Sequence, residues 1–394
     1  MIPLPLFPPG LITKIQAKGV QWLWQRIRRE LRVPETRLGH GLRAFGTRIH
    51  ALFRGATGWF RRLASGTAAD GVNTLYLFYD LEVAPITYDF TWFLIGGELE
   101  RRERNLQHLH VVFVPGPING LRQEREDYEN VMDANARRWR LNNICIPLCT
   151  LIPTCSGFTL CGTRTQAAAI LAATARHVFP NGYSPTFPVV HSAQEVLDVA
   201  RAGKEVRFFV TPPQGGAYLV PWLEATVKGR KLITITLRNY SYMPARNSNR
   251  AAWAAFARKL DPAEYCVVIV PDTDSALKGV ASEMGEFPEF RDACWNIGLR
   301  SALYDAAWIN LGVNNGTSSL CWFSPTARYI TFKLVTEDVP QASTEYITSL
   351  GYEIGQNFPF AGCAQQLVWD ADDASVISEA FDRVHATIPI DLTS

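Results

Sequence analysis

The sequence has no hydrophobic run long enough to cross a bilayer, because none of its apolar stretches approaches the roughly 18 residues that a transmembrane helix needs. It also has no short internal repeat, which excludes solenoids and propellers. Apolar residues make up 47% of the chain and charged residues 19%, so a disordered chain is excluded as well. These features predict a folded globular chain, and 394 residues are enough for two domains.

None of the eight cysteines forms a Cys-x-x-Cys pair. Four of them lie in the apolar stretch CIPLCTLIPTCSGFTLC (145–161), where a small thiol packs like any hydrophobic side chain. A zinc knuckle needs tighter pairs, and His108 and His110 alone are a weak metal signal. We therefore expect core thiols and no metal, with a metal site or disulfides as the alternatives. Reduced cysteines favour a cytoplasmic protein.

Acidic residues are almost absent from residues 1–69, which hold 12 Lys and Arg against 2 Glu, a net charge of +10. The rest of the chain holds 27 basic and 35 acidic residues, a net charge of −8. Apolar residues recur at helical spacing over 12–31 and 42–63, with basic residues between them. This profile is typical of helices in a membrane interface, where aromatic side chains enter the headgroup region and arginines meet anionic lipid. The residues expected at this surface are Trp22, Trp24, Arg28, Arg29, Arg61 and Arg62.

This segment predicts a cytoplasmic protein that is peripheral at the inner face of the membrane. A transit peptide, a nucleic-acid arm and a solvated helical pair are the alternatives. The net negative charge of the remaining chain argues against nucleic acid as a partner, because a duplex-binding surface would be basic.

Residues 70–220 predict a first βαβ-type domain. The pattern predicts a strand in NTLYLFYDLE, then a helix over 87–99, then a strand in LHVVFVPG. NNICIPLC (142–149) and VRFFVTPP (206–213) predict further strands. Ligands of parallel sheets bind beyond the carboxyl ends of strands, and a carboxylate there can act as a general base. Asp80 is the first candidate base and Asp89 the second. The alternative role for Asp80 is to cap the next element.

Residues 221–394 predict a second domain of the same type, with strands at 231–239, 265–272, 306–313 and 329–334. Its first strand runs into the loop RNYSYMPARNSN, followed by a helix for which Ser248 is the expected cap. A helix N-terminus offers free N–H groups, and arginine adds bidentate phosphate contacts. The loop side chains expected at a phosphate are Arg238, Arg246, Asn247 and Asn249. A charged surface loop is the alternative.

The sequence NNGTSS (314–319) predicts a second anion-binding turn, because a glycine followed by hydroxyls lets the backbone approach an anion closely. Gly316, Thr317 and Ser318 are its candidate ligands, and the turn lacks the Gly-Lys-Ser/Thr of a Walker A loop. A capped helix start without a ligand is the alternative. Asp272, at the end of the strand VVIVPD, is a further candidate.

The tandem βαβ domains and the basic flank together resemble the GT-B glycosyltransferase superfamily, of the bacterial surface-polysaccharide type. The resemblance covers about 72–390 and rests on LITITLRNYSYMPARNSN, VVIVPDTD and AAWINLGVNNGTSSL. It implies two Rossmann-like domains facing across a cleft, the first for the acceptor and the second, with a closing helix, for the nucleotide sugar. The GT-B patterns of paired glutamates and of a glycine-rich first loop are absent from this sequence.

The resemblance implies metal-independent transfer of a sugar from a nucleotide-sugar donor to a glycan or lipid-linked acceptor at the membrane, with no cofactor. Asp80 or Asp89 would deprotonate the acceptor hydroxyl. Arg238 and Arg246 would neutralise the departing phosphate, held by the turn at 316–318. Asp272 would contact the ribose or base. The linker 212–225, with Gly215 and Gly216, would let the domains close.

A sugar-nucleotide epimerase of the same fold and a non-catalytic, membrane-peripheral assembly protein are the alternative functions. The epimerase needs acid and base groups on both faces of the sugar, and the assembly protein would tolerate the loss of Arg238 and Arg246. Retaining and inverting stereochemistry both stay open.

Overall fold

The computed structural model describes residues 73–388, with short gaps at 175–176, 187, 189–190, 274–275 and 279–281. The basic segment 1–69 and its six predicted interfacial side chains lie outside the described residues. Packing divides the chain into two compact units. One contains the described residues of 73–84, 110–123 and 159–190, and the other contains those of 85–109, 124–158 and 191–388. The domain boundaries 70–220 and 221–394 stay a prediction.

The first sheet has four strands in the order β3-β2-β1-β4. The strands are β1 Thr74–Asp80, β2 His108–Val114, β3 Cys155–Leu160 and β4 Val178–Phe179. β1 and β4 run parallel, with Tyr76 opposite Val178. The end of β1 is buried in a continuous run, which is typical of strands covered on both faces. Helix α1, Phe90–Glu103, connects β1 with β2, so the predicted strand, helix and strand are confirmed.

The second sheet has five strands in the order β6-β5-β7-β8-β9, and every pairing in it is parallel. The strands are β5 Lys231–Thr236, β6 Tyr265–Val270, β7 Ile309–Val313, β8 Tyr329–Phe332 and β9 Gln365–Leu367. Its core joins the inward side chains of β5 and β7 to Trp253 and Phe381 on two covering helices. The two sheets of strands alternating with helices confirm the predicted α/β class with two Rossmann-like parts.

The remaining α-helices of the described residues connect these strands. They are α2 Glu126–Glu129, α3 Ala134–Arg140, α4 Ile146–Leu148, α5 Arg164–Thr174, α6 Ala193–Arg201, α7 Pro213–Thr226, α8 Arg250–Ala257, α9 Ile297–Ala306, α10 Ser318–Trp322, α11 Thr344–Ser349 and α12 Ala374–His385. Short 3₁₀ turns include Pro244–Arg246 before α8 and Arg291–Cys294 before α9. Helix α12 packs on the second sheet through Ile377 and Phe381, as expected for the closing helix.

The prediction of a strand in NNICIPLC is wrong. Residues Leu141–Cys145 form a π-helical turn that continues into α4. The buried positions are Cys145, Leu148 and Cys149, which repeat at helical rather than alternating spacing.

Two further local predictions are wrong. VRFFVTPP forms no strand, although Phe209 and Val210 donate backbone hydrogen bonds to the carbonyls of Phe323 and Leu151. Helix α8 is capped by Asn249, whose Oδ1 accepts from Ala252 N at 3.2 Å. The expected cap, Ser248, instead accepts a hydrogen bond from the backbone N–H of Arg238 at 2.9 Å.

The predicted hinge at 212–225 is a helix, α7, which contains Pro221 in its interior. Gly215 packs against α9 so closely that a Cβ would lie 2.6 Å from the carbonyl oxygen of Gly298. This glycine therefore serves close helix packing, and the prediction of a flexible linker there is wrong.

All eight cysteines are free thiols. Six are buried, Cys155 is partly buried and Cys363 is exposed, so the prediction of core thiols is confirmed for most of them. Burial raises the pKa of Cys161 and of Cys266, which keeps such thiols protonated at neutral pH.

Candidate functional site

The switch point of the second sheet lies between β5 and β7. The chain leaves β5 for β6 on one side and returns to β7 on the other, so Thr236 pairs with both Val270 and Gly312. Ligands of open parallel sheets bind beyond the carboxyl ends of strands at such a point. The loop RNYSYMPARNSN follows β5, and NNGTSS follows β7. The structure therefore brings the two predicted anion-binding motifs to one crevice.

Arg246 joins these two loops. Its Nη2 donates a hydrogen bond of 3.2 Å to the carbonyl oxygen of Asn314. Burial lowers the pKa of Arg246, and the negative charge of Asp89 opposes that shift. The guanidinium group therefore lies within electrostatic range of Asp89, one of the two predicted bases, at the switch point.

Asp89 is exposed and precedes the first residue of α1. Its Oδ2 accepts a hydrogen bond of 2.9 Å from the hydroxyl of Thr87. A carboxylate at a helix N-terminus is stabilised by the helix dipole, and the exposure of this one leaves it accessible to a second molecule. Asp89, one of the two predicted bases, is thus the more exposed of the two, since Asp80 is buried.

Tyr88 covers the turn after β7. A Cβ on Gly316 would lie 2.7, 2.8 and 3.0 Å from Cδ2, Cβ and Cγ of Tyr88, so only glycine fits beneath this side chain. Burial raises the pKa of Tyr88 to about 12, while the cations Arg300 and Arg140 act in the opposite direction. The close packing of Tyr88 is therefore sufficient to explain why residue 316 is a glycine, without a bound anion.

Arg238, at the end of β5, is 7% exposed and is bound within its own loop. Its Nη1 donates to the carbonyl of Met243 at 3.0 Å and to Oδ1 of Asn247, and its Nη2 donates to the carbonyl of Tyr242 at 2.7 Å. Burial lowers its pKa to about 10, and the like charge of Arg246 adds to the shift. The side chain thereby shapes the loop, and its charge lies close to Arg246.

The other predicted donor-site residues also hold the loops in place. Asn247 Nδ2 donates to the carbonyl of Tyr240 at 3.1 Å, and Asn249 caps α8. One oxygen of Asp272 accepts the backbone N–H of Asn239 at 3.2 Å. These contacts place all three residues around the loop that follows β5.

The hydroxyl and N–H of Thr317 both donate to Oδ1 of Asn315, at 2.6 and 2.9 Å. The backbone N–H of Ser318 donates to the carbonyl of Asn315 at 3.1 Å. Both donors of Thr317 and the backbone N–H of Ser318 are therefore engaged within the turn. An anion would have to compete with Asn315 for them.

Asp80, the other predicted base, is 2% exposed. Its two oxygens accept hydrogen bonds from Arg164 at 2.9 and 2.8 Å, and one also accepts the hydroxyl of Tyr183 at 2.6 Å. The other accepts the backbone N–H of Glu82 at 3.0 Å. This carboxylate is surrounded by its own chain, and the contacts give it a clear structural role at the end of β1.

Sequence reasoning missed Tyr304, which lines the small pocket at the switch point, and its partner Arg300. Arg300 and Tyr304 lie on α9, and the guanidinium of Arg300 donates to the Tyr304 hydroxyl at 3.0 Å. That hydroxyl lies 2.8 Å from Oγ1 of Thr236, at the carboxyl end of β5. The spacing of four residues places Arg300 and Tyr304 on one helix face, which is the only signal that the sequence offers for them.

Beside the crevice, an aromatic ring lies between two cations. The guanidinium carbons of Arg140 and Arg238 each lie 5.6 Å from the ring centroid of Tyr240. Both distances are within cation–π range. The stack connects helix α3 to the loop after β5, and it concentrates positive charge on this side of the second sheet.

Among the described residues, no helix is long and apolar enough to cross a membrane. Within the same part of the chain, no group of three His, Cys, Asp or Glu side chains is arranged to hold a metal ion.

Three solved structures that are similar to this one are two glycosyltransferases and an epimerase. The glycosyl transferase family 9 protein from Veillonella parvula DSM 2008 is 10% identical, with a TM-score of 0.46 over 82% of this chain and 100% of that chain. The E. coli ADP-heptose LPS heptosyltransferase II is 12% identical, with a TM-score of 0.41 over 70% of this chain and 89% of that chain. A candidate UDP-N-acetylglucosamine 2-epimerase from Listeria monocytogenes is 13% identical, with a TM-score of 0.33 over 80% and 88%.

Neither a protein-family model nor a curated protein matches this chain. The resemblance to the GT-B superfamily that the sequence predicts stays an expectation.

Proposed function

We propose that the protein transfers a sugar from a nucleoside-diphosphate sugar to a glycan or lipid-linked acceptor. The observation that supports this most directly is the crevice between β5 and β7. There Arg246 bridges to Asn314, and its charge interacts with that of Asp89. This supports a site in which Arg246 would be the cation for the leaving group and Asp89 the carboxylate for the acceptor.

In the proposed reaction, the carboxylate of Asp89 accepts the proton of an acceptor hydroxyl. The acceptor oxygen forms a bond to the anomeric carbon while the bond from that carbon to the donor phosphate oxygen breaks. The nucleoside diphosphate leaves with the electron pair of that bond, and the charge of Arg246 stabilises it. We place the base at Asp89 rather than Asp80, because the oxygens of Asp80 are engaged with Arg164 and Tyr183.

We further propose that the transfer needs no metal. Arginine side chains can neutralise a departing diphosphate. Arg246 lies between the two loops of the crevice, and the charge of Arg238 interacts with that of Arg246. Activity that is unchanged by a chelator would support this part of the proposal, whereas activity restored only by a divalent cation would contradict it.

The basic segment 1–69 suggests that the protein binds its acceptor at a membrane surface. Its net charge of +10 suits an anionic membrane surface at the cytoplasmic side, where a lipid-linked acceptor would be presented. Sedimentation of the full chain with vesicles tests this. Binding to anionic vesicles that is lost when Arg28, Arg29, Arg61 and Arg62 are replaced by Ser supports a peripheral membrane protein. Equal sedimentation with neutral and anionic vesicles contradicts it.

The direct test is thermal stabilisation of the full chain by UDP-, GDP- and dTDP-sugars, with a CMP-sugar, which has no diphosphate, as the negative control, since a ligand of the folded state raises the unfolding midpoint. We expect a rise with one nucleotide class that is lost in Arg246→Ala. Arg258→Ala is the matched control, because Arg258 pairs with Glu286 on the surface. No rise with any donor would overturn the proposal. Conversion of the donor without an acceptor would favour the epimerase.

A further inference from the structure

An open cavity of about 260 Å³ lies between helix α6 and the loops on either side of β9. Leu197 and Arg201 of α6 form one wall, and residues between 351 and 359 form another, together with Leu367 and Trp369. The residues that line it are outside the two loops of the crevice. Pockets for drug-sized ligands measure roughly 300–1,000 Å³, so this cavity has room for a smaller molecule, such as one sugar ring.

The walls combine the two kinds of surface that a sugar needs. The apolar part includes the buried side chains of Phe358 and Leu367 and the partly buried ring of Trp369. The polar part is formed by exposed side chains, namely Glu353, Gln356 and Asn357. A sugar has an apolar C–H face, which packs on aromatic rings, and hydroxyl groups, which exchange hydrogen bonds with carboxylates and amides.

Arg201 holds the carboxylate of Glu353 in place. Its Nε donates to Oε1 of Glu353 at 2.8 Å, its Nη1 donates to Asp198 at 2.7 Å, and its Nη2 donates to the carbonyl of Gly351. The guanidinium group is therefore engaged by the protein itself. Within the described part of the chain, Oε2 of Glu353 accepts no hydrogen bond, so it is available to hydroxyl groups in the cavity.

The two amides and the indole ring are also positioned before any ligand binds. Oδ1 of Asn357 accepts the backbone N–H of Leu367 at 2.7 Å, and Nε1 of Trp369 donates to the carbonyl of Gln356 at 3.1 Å. Among the described residues, the side-chain amide of Gln356 and Nδ2 of Asn357 have no hydrogen-bond partner. The cavity therefore has fixed walls and free polar groups, an arrangement that lowers the entropy cost of binding.

Tyr352, which also lines the cavity, connects it to the start of helix α1. Its ring centroid lies 6.1 Å from that of Trp92, in a T-shaped arrangement. Trp92 follows Asp89 by three residues, and its N–H donates to the Asp89 carbonyl oxygen at 3.2 Å, so the two share one face of the first turn. Burial raises the pKa of Tyr352, and the negative charge of Asp89 adds to the shift. The cavity thus adjoins the helix start that Asp89 precedes.

Phe358 makes a second connection, to the turn after β7. Its ring centroid lies 5.1 Å from that of Trp322, the last residue of helix α10. Helix α10 begins at Ser318, within the turn NNGTSS. The aromatic side chains beneath the cavity therefore pack on both helices whose N-termini lie at the crevice.

We propose that this cavity binds a sugar ring of the acceptor glycan, the unit that adjoins the one whose hydroxyl reacts at Asp89. This inference rests on the proposed function, since it takes Asp89 as the base. It makes the acceptor a glycan of at least two sugar units. All of the lining residues belong to the second compact unit, whereas the resemblance implies an acceptor site in the first domain.

The experiment is a titration of the full chain with glucose, galactose, mannose and N-acetylglucosamine and with the disaccharides maltose, cellobiose, lactose and chitobiose. Intrinsic tryptophan fluorescence and saturation-transfer NMR report the binding. We expect at least one of these sugars to bind. Trp369→Ala should weaken that binding about 10-fold or more, because an aromatic anchor is lost, and Trp369→Phe should weaken it less. Gln356→Ala should weaken it about 2- to 10-fold, the effect of one neutral hydrogen bond.

Two matched variants separate these effects from general damage. Trp139→Ala removes a tryptophan that is 37% exposed on α3, and Gln214→Ala removes an exposed glutamine of α7. Neither should change the dissociation constant of the sugar. The unfolding midpoint of each variant is measured first, and if Trp369→Ala does not fold, Trp369→Phe and Gln356→Ala decide the question.

The outcomes distinguish this inference from the proposed function. If no sugar binds, or if binding is unchanged in the Trp369 and Gln356 variants, the inference is overturned, while stabilisation by a nucleotide sugar still supports the proposed function. If a saturating nucleotide sugar abolishes the binding of the free sugar, the cavity holds the sugar of the donor, which overturns its assignment to the acceptor. Sugar binding without any donor binding overturns the proposed function, and the assignment to an acceptor with it.

Discussion

Arg246 and Asn314 connect the loops that follow two adjacent parallel strands, through a hydrogen bond of 3.2 Å from Nη2 to the carbonyl oxygen. The contact holds a guanidinium group at the carboxyl ends of β5 and β7. Its charge also interacts with that of Asp89 at the start of α1. One cation thus links the expected leaving-group side of the crevice to the expected base.

Replacement of Arg246 tests the first of these roles. We expect Arg246→Ala to reduce kcat/KM for the nucleotide sugar by about 10- to 100-fold, because a charge-assisted hydrogen bond is worth about 1.5–3 kcal/mol. Arg246→Lys should recover part of the loss, since it keeps the charge but not the planar fork. Steady-state kinetics with varied donor measure both effects.

The control for this prediction is Arg258→Ala. Arg258 is a surface arginine at the C-terminal end of helix α8. Its kcat/KM should equal that of the wild type. An Arg246→Ala enzyme with unchanged kinetics would show that the guanidinium group takes no part in transfer.

Asp89→Asn tests the proposed base. We expect kcat to fall about 10²- to 10⁴-fold while the donor dissociation constant changes little, because asparagine cannot accept the acceptor proton. The helix start should be preserved, since asparagine is as good an N-cap as aspartate. Single-turnover rates, together with the far-UV circular dichroism spectrum, separate chemistry from folding.

The complementary substitution is Asp80→Asn, for which we expect a loss of stability. Removing one charge from a buried ion pair destabilises a protein by about 3 kcal/mol. The charge of Arg164 would remain beside a neutral amide, with Glu82 at 3.3 Å as its remaining carboxylate. Urea unfolding of the full chain measures the change.

At temperatures where the Asp80→Asn variant is folded, it should keep most of the specific activity. If it unfolds like the wild type but is inactive, then Asp80 is the base, and the assignment to Asp89 is wrong.

The sequence predicted the second sheet well, because its strands are buried on both faces and appear as continuous apolar runs between helices. YCVVIV is such a run, whereas KLITIT includes two threonines that are also buried, and both are strands. Parallel pairing then brings their carboxyl ends together, so the two loops with candidate phosphate ligands could be placed at one edge without knowing any contact.

The roles of single side chains in the crevice could not be predicted in this way. Arg238 and Arg246 are similar in sequence context, yet Arg238 is bound inside its loop and Arg246 is not. Tyr88 and Gly316 are 228 positions apart in the numbering, and their contact depends on how α1 lies against the turn after β7. Such contacts depend on tertiary packing, which a local pattern does not encode.

The contact between Tyr88 and Gly316 makes a prediction of its own. Gly316→Ala should destabilise the protein by about 1–3 kcal/mol, because the new Cβ would lie 2.7 Å from the Tyr88 ring. The double variant Gly316→Ala with Tyr88→Ala should recover part of that loss, since the clash disappears. A double-mutant cycle of unfolding free energies measures the coupling. Additive effects in that cycle would contradict the contact.

Helix α1 carries a carboxylate whose titration should affect stability. Glu98 is 1% exposed. Burial alone would raise its pKa, but hydrogen bonds from Arg101, Arg102 and Thr154 outweigh burial and lower the pKa from its ordinary 4.5. The ionised form is therefore favoured in the folded state. Its contribution to stability is complete above the unfolded value of 4.5, and it is lost as the pH falls through the folded pKa.

We therefore expect Glu98→Gln to lower the free energy of unfolding by about 2 kcal/mol at pH 7, because Arg101 and Arg102 lose their buried anion. Below pH 4.5 the variant should lose less stability on further acidification than the wild type does, because the titrating group is gone. Glu286→Gln is the control, since its carboxylate pairs with Arg258 on the surface and such pairs contribute little. Urea unfolding between pH 3 and pH 7 measures all three proteins. Parallel pH curves for Glu98→Gln and the wild type would mean that Glu98 titrates alike in the folded and unfolded chains, and that the hydrogen bonds to its carboxylate do not favour its ionised form.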